Sequence, residues 1–275
     1  MSMFDQLPHI TSRIEAFAPS GAQSIGTGFF FNFEFPGVGS LMTLVTNKHV
    51  VSGANYARIY LSHADGETAK FGNFDTCEFQ GFDQYVVGHP DPNVDLAAFP
   101  VGPFVNQMES AGTPAFFRAL GAMNIPSDGD EESFTAIENI LMIGYPTGMW
   151  DSANNLPIVR RGITATPYAR DYSGRPEFLI DCACFPGSSG SPILIADSGS
   201  YPTKAGNITV GTRFYLLGIL WGGPQYSAEG QIVAKPVPTS TVPVSISQIP
   251  TNLGYCVKAR MIRDLEPLLL ARFPR

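Results

Sequence analysis

The chain is poor in charge. Charged residues fill only 15% of its 275 positions, and Lys and Arg are scattered without forming a block. With a net charge of −7, neither a nucleic-acid surface nor an anionic-membrane surface is expected. Cysteine is also scarce: Cys77, Cys182, Cys184 and Cys256, with no Cys-x-x-Cys pair. A zinc site is therefore not expected, and nothing else suggests a metal or a cofactor. Cys182 and Cys184 lie two apart on an expected strand, so they share a face and are poorly placed to bridge each other. Free, buried thiols in a reducing cytoplasm are the simplest account. The opening MSMFDQLPHITSR has no basic segment followed by an apolar one, so no secretory leader is expected. The longest apolar run, Phe214 to Trp221, is too short to span a bilayer and suits a buried strand. No internal repeat or low-complexity segment is present. These absences lead to the expectation of a soluble cytoplasmic protein.

Turn formers and short apolar runs are abundant. Twenty-eight Gly and 23 Pro punctuate a sequence that is 44% hydrophobic, which points to an all-β protein with frequent turns. Strands are expected at Ile10 to Phe17, Ser24 to Phe35, Leu41 to Thr46, Tyr56 to His63, Ala69 to Phe74, Cys77 to Val87 and Val94 to Val101. Gly102 to Glu132 breaks this rhythm. It is read as a connection holding a short helix or strand near Ala115 to Leu120 and an acidic loop, Ser127 to Glu132. Strands resume at Phe134 to Ile143, Pro157 to Thr166, Glu177 to Phe185, Pro192 to Ala196, Arg213 to Trp221 and Tyr255 to Lys258. Gln225 to Pro250, rich in Pro, Ser and Val, is read as irregular with an edge strand. Met261, Ile262, Leu265, Leu268 and Leu269 recur at helical spacing, so the tail is read as an amphipathic helix that Pro267 weakens.

One stretch carries chemistry, Cys182 to Ile193, CACFPGSSGSPI. A strand ending in Pro-Gly-Ser-Ser-Gly-Ser can hold a serine hydroxyl clear of its backbone and aim two N–H groups at one point. Acyl transfer needs both an exposed nucleophile and fixed donors for the oxyanion. A serine nucleophile also needs a base, and all four histidines (His9, His49, His63 and His89) precede Ser189. That order excludes the arrangement in which the histidine follows the serine, and leaves His…Asp…Ser. His49 follows an apolar strand in Thr46-Asn47-Lys48-His49-Val50-Val51. Asp95 opens another in Asn93-Val94-Asp95-Leu96-Ala97, with Asp91 as its rival.

These three segments resemble those of trypsin-like peptidases. Gly187 to Pro192 is similar to the nucleophile loop G-[DNS]-S-G-[GS]-P, the His49 segment to T-[AN]-x-H-[VC], and the Asp95 segment to D-[IL]-A. Asp181 to Ser189 further resembles the D-A-A-I-N-P-G-N-S run of HtrA-type peptidases, with Phe185 departing from it. No PDZ module like that of HtrA-type proteins is expected. The resemblance implies two six-stranded antiparallel Greek-key barrels with the active site between them and a C-terminal helix. It divides the chain into a front barrel (1–102), a connection (103–133) and a rear barrel (134–275). It implies a serine endopeptidase in which Ser189 is the nucleophile, His49 the base and Asp95 its partner, with Gly187 and Ser189 N–H groups as the oxyanion hole. Ala183 falls at the floor of the P1 pocket, and Leu220, Trp221 and Gly222 hold the substrate strand. Alanine there favours small or medium apolar P1 residues. Ser188 replaces the aspartate that in secreted trypsins pairs with a newly cut N-terminus, so the intact chain is expected to be active. The expected partner is a protein or peptide substrate. A catalytically silent scaffold and an esterase using the same triad remain as alternatives.

Overall fold

The computed structural model describes residues 2–229 and 246–274. Nine strands form the first sheet: β1 (Thr11–Phe17), β2 (Gln23–Phe35), β3 (Gly39–Thr46), β4 (Tyr56–Asp65), β5 (Thr68–Gln80), β6 (Val87–Gly88), β7 (Ala97–Pro100), β8 (Ala115–Phe116) and β9 (Leu120–Gly121). Their order is β5-β4-β1-β2-β3-β7-β6, with β8 on β4 and β9 on β2. All these pairs are antiparallel except β2 with β9. Strands β6, β8 and β9 are two residues each, and the six longer ones make up the body of the sheet.

The second sheet is a closed antiparallel barrel of six strands: β10 (Asn139–Gly144), β11 (Ile158–Thr164), β12 (Glu177–Asp181), β13 (Pro192–Pro202), β14 (Ile208–Gly222) and β17 (Leu253–Lys258). Between β14 and β17, β15 (Gln225–Glu229) and β16 (Ile246–Pro250) pair as a separate ribbon. The rest of the expected irregular stretch, 230–245, lies outside the described residues. The sheets and the helical tail give the all-β, two-sheet architecture that the sequence implies.

The run Gly26 to Phe31 is buried at every position because β2 has apolar layers on both faces. Phe29, Phe31, Phe33 and Phe35 point into a cluster shared with Ile143, Leu194, Leu216 and Ile219 of the barrel. Phe30 points the other way, among Ile14, Leu44, Ile59 and Phe99. Alternation along a strand thus sends odd residues between the two sheets and even ones inside the first.

Several elements differ from expectation. The two strands expected before Val87 are one continuous strand through Gln80, followed by a single helical turn at Phe82–Gln84. Helix α1 (Met3–Gln6) precedes β1, and α2 (Lys48–Val51) follows β3. The connection holds α3 (Gly102–Ser110), whose first turn tolerates Pro103, and packs Met108 inward. The acidic loop is α4 (Asp128–Ser133). Ser127 caps it, and the Asp130 carboxylate accepts from the Ser127 N–H in return. Strands β13 and β14 run past their expected ends as a long hairpin. The tail begins with a 3-10 stretch, Ala259–Leu265, and becomes α-helical as α5 (Glu266–Arg272). Pro267 lies in the first turn of α5, where its missing N–H breaks no helical bond, and Ile262, Leu265 and Leu269 are buried.

Candidate active site

His49 hangs from α2, the single turn that ends β3. Asp95 grips it twice: its Oδ2 lies 2.5 Å from His49 Nδ1, and its Oδ1 accepts from the His49 backbone N–H at 3.2 Å. The Asp95 backbone is held in turn, because Asn47 Nδ2 donates to its carbonyl at 2.7 Å. A carboxylate so placed fixes Nδ1 as the protonated ring nitrogen and leaves Nε2 as the acceptor. The rival Asp91 is spent on a local turn, accepting from the N–H and side-chain amide of Asn93. The other histidines lie elsewhere. His9 packs edge-on against Phe116, His63 pairs with Asp75, and buried His89 pairs with Asp264.

Ser189 stands on the turn between β12 and β13, with its backbone almost fully accounted for. The Ser188 N–H donates to Phe185 O at 3.0 Å across Pro186-Gly187, with Gly187 at φ +83°. Pro at the second position and a positive-φ Gly at the third define a type II turn. Gly190 N–H donates to Leu220 O, Ser191 N–H to Ser188 O, and Ser189 O accepts from Thr27 N–H. From Gly187 to Ser191, only the N–H groups of Gly187 and Ser189 lack an acceptor among the described residues. Their direction follows from peptide planarity. The Pro186 carbonyl accepts from Thr147 N–H at 2.5 Å and the Ser188 carbonyl from Ser191 N–H at 3.0 Å, so the N–H on the far side of each trans peptide points away from those partners.

Contacts from the first sheet seat this turn against the histidine segment. The Thr27 hydroxyl donates to Gly187 O at 3.2 Å and accepts from Tyr145 N–H at 3.2 Å. The Thr46 hydroxyl donates to Thr27 O at 2.7 Å. At Gly190, φ +87°, a Cβ would come within 1.9 Å of Thr27 O and 2.6 Å of Thr46 Oγ1. The Ser189 turn therefore abuts the end of β3, three residues from His49.

A cavity of about 250 Å³ opens beside Ser189, lined by Cys184, Phe185, Leu220, Gly222, Gly223, Pro224 and Leu253 among others. Two expected pocket residues are placed differently. Ala183 lines another, open cavity with Arg161, Asp181 and Asn252. Cys182 and Cys184 take the inward positions past β12, and alternation turns Ala183 away. Trp221 likewise turns from the cavity and stacks on Tyr255 at 5.5 Å. Leu220 contributes its side chain only. Its N–H donates to Ser191 O and its carbonyl accepts from Gly190, which removes both groups from pairing with a substrate. Burial, with the neighbouring Cys182 thiol, pushes the Cys184 thiol up to about 12, so it stays protonated and uncharged at neutral pH. Among the described residues no cluster of His, Cys, Asp and Glu could hold a metal.

A family model for the trypsin-like peptidase domain matches residues 26–201, a span that contains His49, Asp95 and Ser189. The chain belongs to the trypsin-like peptidase family. The activity that goes with membership is that of a serine endopeptidase. Among solved structures, this peptidase is similar to the active form of the Rv3671c protease from M. tuberculosis, at 17% identity and a TM-score of 0.45, covering 97% of this chain and 82% of that one. It is similar to Deg5, at 17% identity and a TM-score of 0.48, covering 80% and 82%. It also resembles tobacco etch virus protease complexed with product, at 10% identity and a TM-score of 0.45, covering 82% and 72%. No curated protein matches the peptidase in sequence.

Proposed function

We propose that this peptidase cleaves peptide bonds through a His49-Asp95-Ser189 triad and an acyl-enzyme. His49 Nε2 takes the Ser189 proton as the hydroxyl attacks the carbonyl, and later returns it to the leaving amine. Asp95 holds the tautomer and stabilises the imidazolium. The free N–H groups of Gly187 and Ser189 receive the oxyanion, each worth about 3 kcal/mol in the transition state. The observation that carries this reading is that, from Gly187 to Ser191, only those two N–H groups lack an acceptor among the described residues.

Specificity follows from the cavity. None of the named lining residues bears a charge, so a P1 Lys or Arg would be desolvated without a partner. Small or medium apolar P1 side chains suit it, resting on Cys184, Leu220 and Leu253. The stretch Trp221 to Gly223 supplies the edge on which an extended peptide adds as a strand. Cleavage of a protein or peptide substrate in the cytoplasm, without nucleic acid, membrane or cofactor, is the accompanying expectation.

The test is labelling with a fluorophosphonate, followed by a cleavage profile on a peptide library. Labelling of the wild type, its loss in Ser189→Ala, and an apolar P1 profile support the reading. An unlabelled wild-type chain would refute the triad, and a profile dominated by Arg would refute the pocket assignment.

A further inference from the structure

The loop's hydrogen bonds bring in one side chain that the triad does not use. Arg160 projects from β11 beneath the nucleophile loop, and its Nη1 donates to Ala183 O and to Ser188 Oγ, each at 2.8 Å. One nitrogen thus ties the start of the loop to the residue before the nucleophile. Its Nε and Nη2 are sealed from solvent and have no partner among the described residues. Arg160 forms no ion pair among those residues, and its titratable neighbours are the thiols of Cys182 and Cys184. Burial pushes its pKa below the ordinary arginine value.

A guanidinium kept in such a place is costly. Replacing it with an apolar residue of similar length would remove the desolvation penalty. The contact it makes is the reason to keep it. Ser188 is fully buried, and its hydroxyl has Arg160 as its donor. The Ser188–Ser189 peptide carries one of the two free N–H groups, and Gly187, in a positive-φ turn, carries the other. Glycine is free to adopt other backbone angles; Thr147 and Thr27 hold the carbonyls of Pro186 and Gly187, and the Ala183 carbonyl and the Ser188 hydroxyl are left to Arg160.

We propose that Arg160 is a positioning residue that staples residues 183 to 188, holding the Gly187 and Ser189 N–H groups at one point in the uncut chain. The proposal rests on the reading of Ser189 as nucleophile and of those N–H groups as its oxyanion hole. It assigns to an internal side chain the bracing of Ser188, so the loop is set without a new N-terminus.

The experiment compares the wild type with Arg160→Met, Arg160→Lys and Ser188→Ala in the full chain. Fluorophosphonate labelling rate, kcat and KM on a cleaved peptide, and amide exchange of residues 183–191 are read. Arg160→Met is expected to slow labelling and lower kcat by about 100-fold, the size of losing one oxyanion donor, while KM stays within about threefold. Arg160→Lys should recover part of the loss, and Ser188→Ala should show a smaller one. Faster exchange of the loop should accompany each loss. Should Arg160→Met fail to fold, the other two variants decide. Slower labelling in both supports the staple, and wild-type rates in both overturn it. Exchange separates this from the triad reading. If the wild type does not label at all, unchanged loop exchange in the variants still overturns Arg160, and faster exchange still supports it.

Discussion

Asp95 meets His49 through two separate bonds, one to the ring and one to the backbone, so its removal should act on catalysis more than on binding. Asp95→Asn is expected to lower kcat by roughly 10⁴-fold with little change in KM, because an amide can present a donor to Nδ1 and stabilise the wrong tautomer. Steady-state kinetics on one peptide check this, and a loss below tenfold would refute the role. Gly190→Ala tests the loop itself. The new Cβ would collide with the Thr27 carbonyl in a backbone region that alanine avoids, so labelling should fall together with stability. At these positions the sequence was informative, since His49, Asp95 and Ser189 each sit in a local pattern of residue types. Thr27 and Arg160 carry no such pattern, and Asn47, although it sits in the His49 motif, gives no sign there of its bond to Asp95. Thr27 finds Gly187 across 160 residues of chain and Asn47 finds Asp95 across 48, and only the fold brings them together. The inward turn of Cys184 rather than Ala183 depends on where β12 stops, and a one-residue offset there exchanges the two faces.

The turn after β10 shows how a short element can store strain for a site. Thr147 has φ +50°, a conformation a β-branched residue rarely adopts, while its N–H holds the Pro186 carbonyl. Two variants separate the strain from the bond. Thr147→Gly keeps the N–H and removes the steric cost, so it should leave labelling unchanged and stabilise the protein by up to about 1 kcal/mol. Thr147→Pro removes the N–H and cannot reach a positive φ, so labelling should fall by about 100-fold. Equal labelling in both, read beside thermal melting, would show that the bond does not matter. Other elements were hidden by composition. The acidic run Asp128 to Glu132 looks like a loop on charge alone, yet Ser127 and Asp130 form the reciprocal cap that starts α4. The expected break between the two strands of β5 vanishes because β4 pairs along its length, and tertiary pairing outweighs the weak local signal around Phe74 to Thr76.

The two sheets share an apolar layer, in which Phe29, Phe31 and Phe33 of β2 meet Leu194, Leu216 and Ile219 of the barrel. This layer couples the halves that carry His49 and Ser189, so the site and the fold should be lost together. The four thiols report on it chemically. All are buried and free, and burial pushes Cys77 and Cys184 up to about 12, so the native chain should react slowly with Ellman's reagent at pH 8. Four thiols should appear promptly on unfolding, and fast native reaction would contradict this packing. The two tryptophans give a sharper test. Trp150 lies against Tyr60 and Phe74 of the first sheet, whereas Trp221 stacks on Tyr255 in the barrel. Trp150 is carried between β10 and β11 of the barrel, so it watches the contact between the halves, whereas Trp221 watches the barrel itself; Trp221→Phe and Trp150→Phe isolate the two signals. If the shared layer makes one cooperative unit, their urea midpoints should coincide. Leu216→Ala, which opens a cavity in that layer, should lower both by the same amount, corresponding to about 2–5 kcal/mol. A Trp150 midpoint well below that of Trp221 would mean that the halves part while the barrel stays folded and that the interface adds little to its stability.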